Sequence, residues 1–173
     1  MFCEFICEIF SKYKLFFLIR IVSNSSGFKV IFRPHPQTLK HGLHTDVISI
    51  VMNKYRLDDR FSFDKSIDYY QSYVDADCML SDVSGTSINF RFGFNKPVVF
   101  YVEDKTKAES ALQNIEDVGV VTDDIDSISD CLNSSLIDFD SGDLNHQSFI
   151  YNVGTSSSYY FDYINGFLSS SKE

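Results

Sequence analysis

Phe28-Lys29-Val30-Ile31-Phe32-Arg33-Pro34-His35-Pro36 is the stretch that decides the fold. Its first five residues are a near-continuous run of aromatic and β-branched side chains, the pattern of a strand buried on both faces in a parallel sheet. Pro34 forces Arg33 into an extended conformation, and the two prolines stiffen the turn that follows. A polar loop therefore begins where a buried strand ends. The pattern recurs downstream: Cys78–Leu80 reads as a second buried strand, and Ser81-Asp82-Val83-Ser84-Gly85-Thr86-Ser87 as its loop. Ligands of open α/β sheets bind at the carboxyl ends of strands. Two loops with anion-binding chemistry in that position predict one shared site for a phosphate-bearing ligand.

Outward from these stretches the chain alternates. Helices are predicted over about 2–22, 45–55, 66–75, 87–94, 125–136 and 156–168. Strands are predicted at Phe28–Phe32, Phe61–Phe63, Cys78–Leu80, Pro97–Val102 and Val118–Val121. No adjacent hairpins interrupt the alternation, so the fold class is α/β, a three-layer Rossmann-like parallel sheet. The 173 residues suffice for one domain with a real core, and no linker divides the chain.

Hydrophobic residues make up 44% of the chain and aromatics 16%, which excludes a disordered chain. The formal charge of −9 argues against nucleic-acid binding, which needs a basic surface. An anionic ligand must then be held locally, and Lys29, Arg33, His35, Lys40, His41 and His44 form the one basic cluster. The four cysteines, at 3, 7, 78 and 131, show no framework or zinc-finger spacing and are expected to be reduced. No metal or cofactor site is expected. No apolar run approaches the roughly 20 residues that span a bilayer.

The second loop carries the phosphate chemistry. A strand that turns into a helix through Ser, Gly and Thr offers unpaired backbone N–H groups and the positive end of the helix dipole. Gly85 admits close approach, and Ser84, Thr86 and Ser87 add hydroxyls. The ordinary alternative is a helix cap. Asp82 would repel a phosphate, so its expected role is to pin the loop by accepting N–H groups of the turn. Arg33 can grip phosphate with its fork of donors. Its alternative is an ion pair with Asp82 or Asp75. His35, restrained between prolines, can act as acid, base or donor near neutral pH, or serve as a capping residue. Glu103 and Asp104 end the strand Pro97–Val102, where carboxylates can hold ribose hydroxyls or simply face solvent.

Taken together, Val30-Ile31-Phe32-Arg33-Pro34-His35-Pro36, Tyr73-Val74-Asp75-Ala76-Asp77, Ser81-Asp82-Val83-Ser84-Gly85-Thr86 and Lys96-Pro97-Val98-Val99-Phe100-Tyr101 resemble the CDP-glycerol:poly(glycerophosphate) glycerophosphotransferases of teichoic-acid synthesis. The resemblance spans about residues 28–104 and rests on the order and spacing of the blocks. It implies the C-terminal, donor-binding half of a GT-B architecture. The implied reaction transfers glycerol phosphate, or another polyol phosphate, from a CDP-activated donor to a cell-surface polymer. By the same resemblance His35 is the catalytic histidine near the donor pyrophosphate, Ser84, Gly85 and Thr86 form the phosphate loop, and Arg33 and Asp82 support the loops.

No counterpart of the family's N-terminal domain is recognised before the match. The expectation is thus an isolated donor-binding half that needs a second domain or chain, with a polymer acceptor at the membrane. Its expected location is cytoplasmic, peripheral at the inner membrane face. Two other readings stay open: a nucleotide-sugar-dependent GT-B glycosyltransferase or epimerase, and a truncated, non-catalytic nucleotide-binding module.

Overall fold

The computed structural model describes residues 27–34, 40, 45–111, 114–140 and 155–170. The helix expected over 2–22 lies outside them, as do His35, Pro36, His41 and His44. The chain divides into two compact units, Met1–Gly142 and Asp143–Glu173.

In the first unit, β1 (Val30–Phe32), α1 (Thr45–Tyr55) and β2 (Phe61–Phe63) are followed by α2 (Tyr70–Asp75), β3 (Met79–Ser81) and α3 (Gly85–Ile88). The last of these runs directly into a π turn, Asn89–Gly93. Then come β4 (Val98–Tyr101), α4 (Lys105–Ala111), a single 3-10 turn at Ile115–Asp117, β5 (Val120–Thr122) and α5 (Ile128–Asp138). Every described strand pairing is parallel. β1 pairs with β2 in register Val30 to Phe61, and β3, β4 and β5 form a three-stranded sheet with β4 in the middle. The fold is α/β with parallel sheets, as the alternation predicts. In the second unit the described element is α6 (Ser156–Ser170), two residues longer than expected.

β1, β3 and β4 are buried along their whole length, which is why β1 and β4 read as unbroken apolar runs. One core joins them: Val30, Phe32, Leu80, Val99 and Tyr101 pack with Ile48, Val51 and Tyr55 of α1 and with Ile128 and Leu132 of α5. Ile50, on α1, is 53% exposed. Gly27 enters β1 with φ of 106°, a backbone conformation that strains any residue with a Cβ.

Several boundaries move for local reasons. The helix expected from Ser66 begins only at Tyr70. Ser66 turns back to bond Asp64, and the Asp68 carboxylate accepts the Tyr70 N–H. Ile67 is therefore in the loop before that helix and is 95% exposed. The break after α3 comes at Asn95, whose φ of 52° is left-handed and whose Oδ1 accepts from Arg91. The helix α4 has no apolar stripe to betray it. It starts because the Asp104 carboxylate accepts from the backbone N–H and hydroxyl of Thr106, a side-chain cap. The expectation of four reduced cysteines is corrected at Cys78, which is disulfide-bonded, while Cys131 is a free thiol. Among the described residues no helix is long and apolar enough to cross a membrane.

Candidate functional site

Ser81 closes β3 and is buried, so the chain leaves the sheet at Asp82 from a fixed anchor. Ser84 is extended (φ −140°, ψ 156°) and occupies the cap position of α3. The turn that follows is tightened twice by its carbonyl oxygen, which accepts the Ser87 N–H at 3.3 Å and the Ser87 hydroxyl at 2.5 Å. Ser87 is thus wholly buried and spends its hydroxyl inside the turn. Its place in the predicted phosphate set becomes that of a latch.

Ser84 and Thr86 stay on the outer side. Their hydroxyl oxygens lie 2.7 Å apart, and the Ser81 hydroxyl is 3.4 Å from that of Ser84. Gly85 between them is exposed, and a Cβ placed on it would meet nothing within 4 Å. The turn thus offers an open backbone face, two hydroxyls and the first N–H groups of a helical stretch that continues through Gly93. Both carboxylate oxygens of Asp82 are buried, so this residue belongs to the inside of the loop.

At the end of β1 the geometry departs from the expectation. Arg33 is only 4% exposed. Its Nη1 donates to the Asp64 carboxylate and to the Ser66 hydroxyl at 3.0 Å, and its Nη2 donates to the backbone oxygens of Ser66 at 2.9 Å and Ile67 at 3.3 Å. The ion pair foreseen with Asp82 or Asp75 forms with Asp64 instead. Both terminal nitrogens of the fork are turned to protein acceptors. Asp64 was not singled out in the sequence; the signal that could have found it is a carboxylate one residue past the strand that neighbours Arg33.

Burial alone would raise the Asp64 pKa. Hydrogen bonds from Ser66 and Ser72, with that from Arg33, outweigh it and hold the value at about 2 against an ordinary 3.8. The Asp64 N–H also donates to the Phe32 carbonyl oxygen at 3.0 Å, extending the β1–β2 ladder to the level of Arg33.

His35 lies outside the described residues. Of the two carboxylates considered for ribose, Asp104 caps α4 through one oxygen, and Glu103 is exposed beside it. Arg91 is buried against the rings of Phe92 and Phe139, at 5.5 and 4.7 Å, and braces the π turn. Among the described residues no cluster of three or more His, Cys, Asp or Glu side chains could hold a metal ion.

No protein-family model and no curated protein matches the chain. A solved structure of the wall teichoic acid polymerase TagF, soaked with CDPG, superposes with a TM-score of 0.57 at 14% sequence identity. The match covers 99% of this chain and 43% of TagF. The fold resembles that of TagF. This chain therefore spans less than half the length of the protein it is similar to.

Proposed function

We propose that this chain is the donor-binding half of a glycerophosphotransferase-like enzyme of GT-B architecture, taking a CDP-activated polyol phosphate as donor. The open Ser84-Gly85-Thr86 turn carries this reading. It stands at the end of a buried parallel strand, with the exposed Gly85 between the half-buried Ser84 and Thr86, whose hydroxyls lie 2.7 Å apart. The sequence blocks around Arg33 and Lys96, and the likeness in fold to TagF, support it.

In the proposed site the donor pyrophosphate lies over Gly85, held by Ser84, Thr86 and the first backbone N–H groups of α3. An acceptor hydroxyl oxygen attacks the β-phosphorus in line. The new P–O bond forms as the bridging P–O bond to CMP breaks, and the hydroxyl proton is lost to a base. By the sequence resemblance His35 joins the turn in stabilising the charge that develops on the phosphoryl oxygens. Arg33, its fork held by Asp64, supports the loop rather than gripping phosphate. Glu103 is the remaining candidate for the ribose. The acceptor is a surface polymer at the inner membrane face, and a second domain or chain completes the site.

Calorimetry of the chain with CDP-glycerol, CMP, UMP and UDP-sugars tests this reading. Tighter binding of CDP-glycerol than of the others is expected. Equally weak binding of all four would sink the CDP-polyol assignment. His35→Ala is expected to abolish transfer while leaving the circular dichroism spectrum intact; unchanged transfer would remove His35 from the chemistry.

A further inference from the structure

We propose that α6 is the interface of a homodimer, in which two copies of the chain pack this helix antiparallel across a two-fold axis. The inference goes beyond the donor-site reading and does not depend on it.

Within Ser156–Ser170, the residues Tyr159, Tyr160, Tyr163, Ile164, Phe167 and Leu168 recur at the spacing of one helical face. Each is 52–66% exposed. Ser158, Asp162, Asn165 and Ser169 form the opposite, polar stripe, on which the Ser169 hydroxyl donates to the Asn165 carbonyl oxygen at 2.8 Å. The helix is amphipathic, and its apolar side faces water.

The size of that side calls for a cover. A covered aromatic side chain buries about 150–250 Å², so six large residues exposed to this degree offer on the order of 700 Å². The largest apolar patch on a typical monomer is about 300–600 Å². A stable interface takes roughly 800 Å² from each partner, which this face nearly meets.

Charge and symmetry select the occupant. A helix that lies on a lipid surface is rich in Lys and Arg on its polar stripe, and α6 has neither. Its one charged residue, Asp162, lies on the polar stripe, so two copies of a chain of net charge −9 meet here without like charges in the seam. The six apolar positions are also symmetric about the point between Tyr163 and Ile164. When a second α6 runs the opposite way, Tyr160 of one copy is level with Phe167 of the other, Tyr159 with Leu168, and Tyr163 with Ile164. Each tyrosine is thus level with an Ile, Leu or Phe side chain. Such self-complementarity is what a two-fold interface requires of a surface, and a different protein partner would not require it.

Sedimentation equilibrium of the full chain from about 10 to 200 µM tests the proposal. The mass should rise with concentration from that of the 19.8 kDa monomer towards twice that value. Ile164→Asp sets two carboxylates beside the two-fold and is expected to raise the dissociation constant at least about tenfold. Ser158→Asp, on the polar stripe, should leave it unchanged. A single-chain mass at every concentration overturns the proposal, and so does a dimer that Ile164→Asp leaves as tight as before. Should Ile164→Asp lose helix by circular dichroism, cysteine pairing reads the same contact. Oxidation by copper phenanthroline should link Ile164→Cys into dimers and leave Ser158→Cys at the background of the chain's own cysteines. Equal linking of the two refutes the antiparallel seam. Co-sedimentation with phosphatidylcholine vesicles by a chain that stays monomeric in solution would give the face to lipid and overturn the dimer.

Discussion

Acid should unfold this protein in part through one carboxylate. Asp64 carries a pKa of about 2 in the folded chain against 3.8 in its ordinary state. A depressed carboxylate stabilises the fold above its unfolded pKa, and that contribution is lost as pH falls through the folded value. At about 1.36 kcal/mol per unit, the difference corresponds to roughly 2 kcal/mol, present in full at pH 6 and lost between about pH 4 and pH 2. Against a typical domain stability of about 5–15 kcal/mol this is a large share. Asp64→Asn removes the same charge as protonation does and keeps the shape. The variant should therefore be less stable than the wild type by about 2 kcal/mol at pH 6, with the gap closing as pH approaches 2. Other carboxylates titrate in both chains and cancel in the difference. Urea unfolding of the two chains at pH 6, 5, 4 and 3 measures it. A gap that stays constant over this range would show that the charge on Asp64 does not stabilise the fold, and the account of Arg33 as its buried partner would fall.

Three further outcomes follow from single contacts. Gly119→Ala would set a methyl 2.2 Å from the carbonyl oxygen of Val98 at the start of the central strand β4. Backbone must shift to admit it, so a loss of about 3 kcal/mol is expected in urea unfolding; a loss below about 0.5 kcal/mol would contradict the close approach of β5 to β4. Gly85→Val meets open space, so the unfolding midpoint should hardly move while CDP-glycerol affinity drops at least about tenfold; equal affinity would mean that no phosphate approaches the turn. Lys96 donates from its ammonium to the carbonyl oxygens of Tyr73, Val74 and Ala76, at 2.9, 2.6 and 2.5 Å, closing the end of α2. Lys96→Met should cost about 2–3 kcal/mol, the scale of a lost charged hydrogen bond, and a stability within experimental error of wild type would show those bonds to be replaceable by water.

Much of the fold is legible residue by residue. Thr45–Tyr55 and Phe61–Phe63 stand where periodicity and composition place them, because each signal is local: an apolar stripe in the first, alternating rings in the second. The later strands are found with ends displaced by a residue or two, since fraying ends carry no distinct composition. α4 was missed because Lys105–Ala111 has no apolar face, and the capping role of Asp104 looks in sequence like any polar strand end. At the site, Gly85 is exposed while Ser84 and Thr86 are half-buried. The inward turn of the Ser87 hydroxyl does not show in a run of three similar hydroxyl residues.

The sequence by itself determined the α/β alternation, the buried parallel strands and the two polar loops that follow β1 and β3. These follow from hydrophobic runs and from proline and glycine chemistry, which act over a few residues. Tertiary structure alone decided which partner each charge takes. Arg33 had three carboxylates within chemical reason, and the parallel register of β1 with β2 sets Asp64 beside it, 31 residues away. An ion pair is chosen by distance in space, and that distance exists only once the strands have paired.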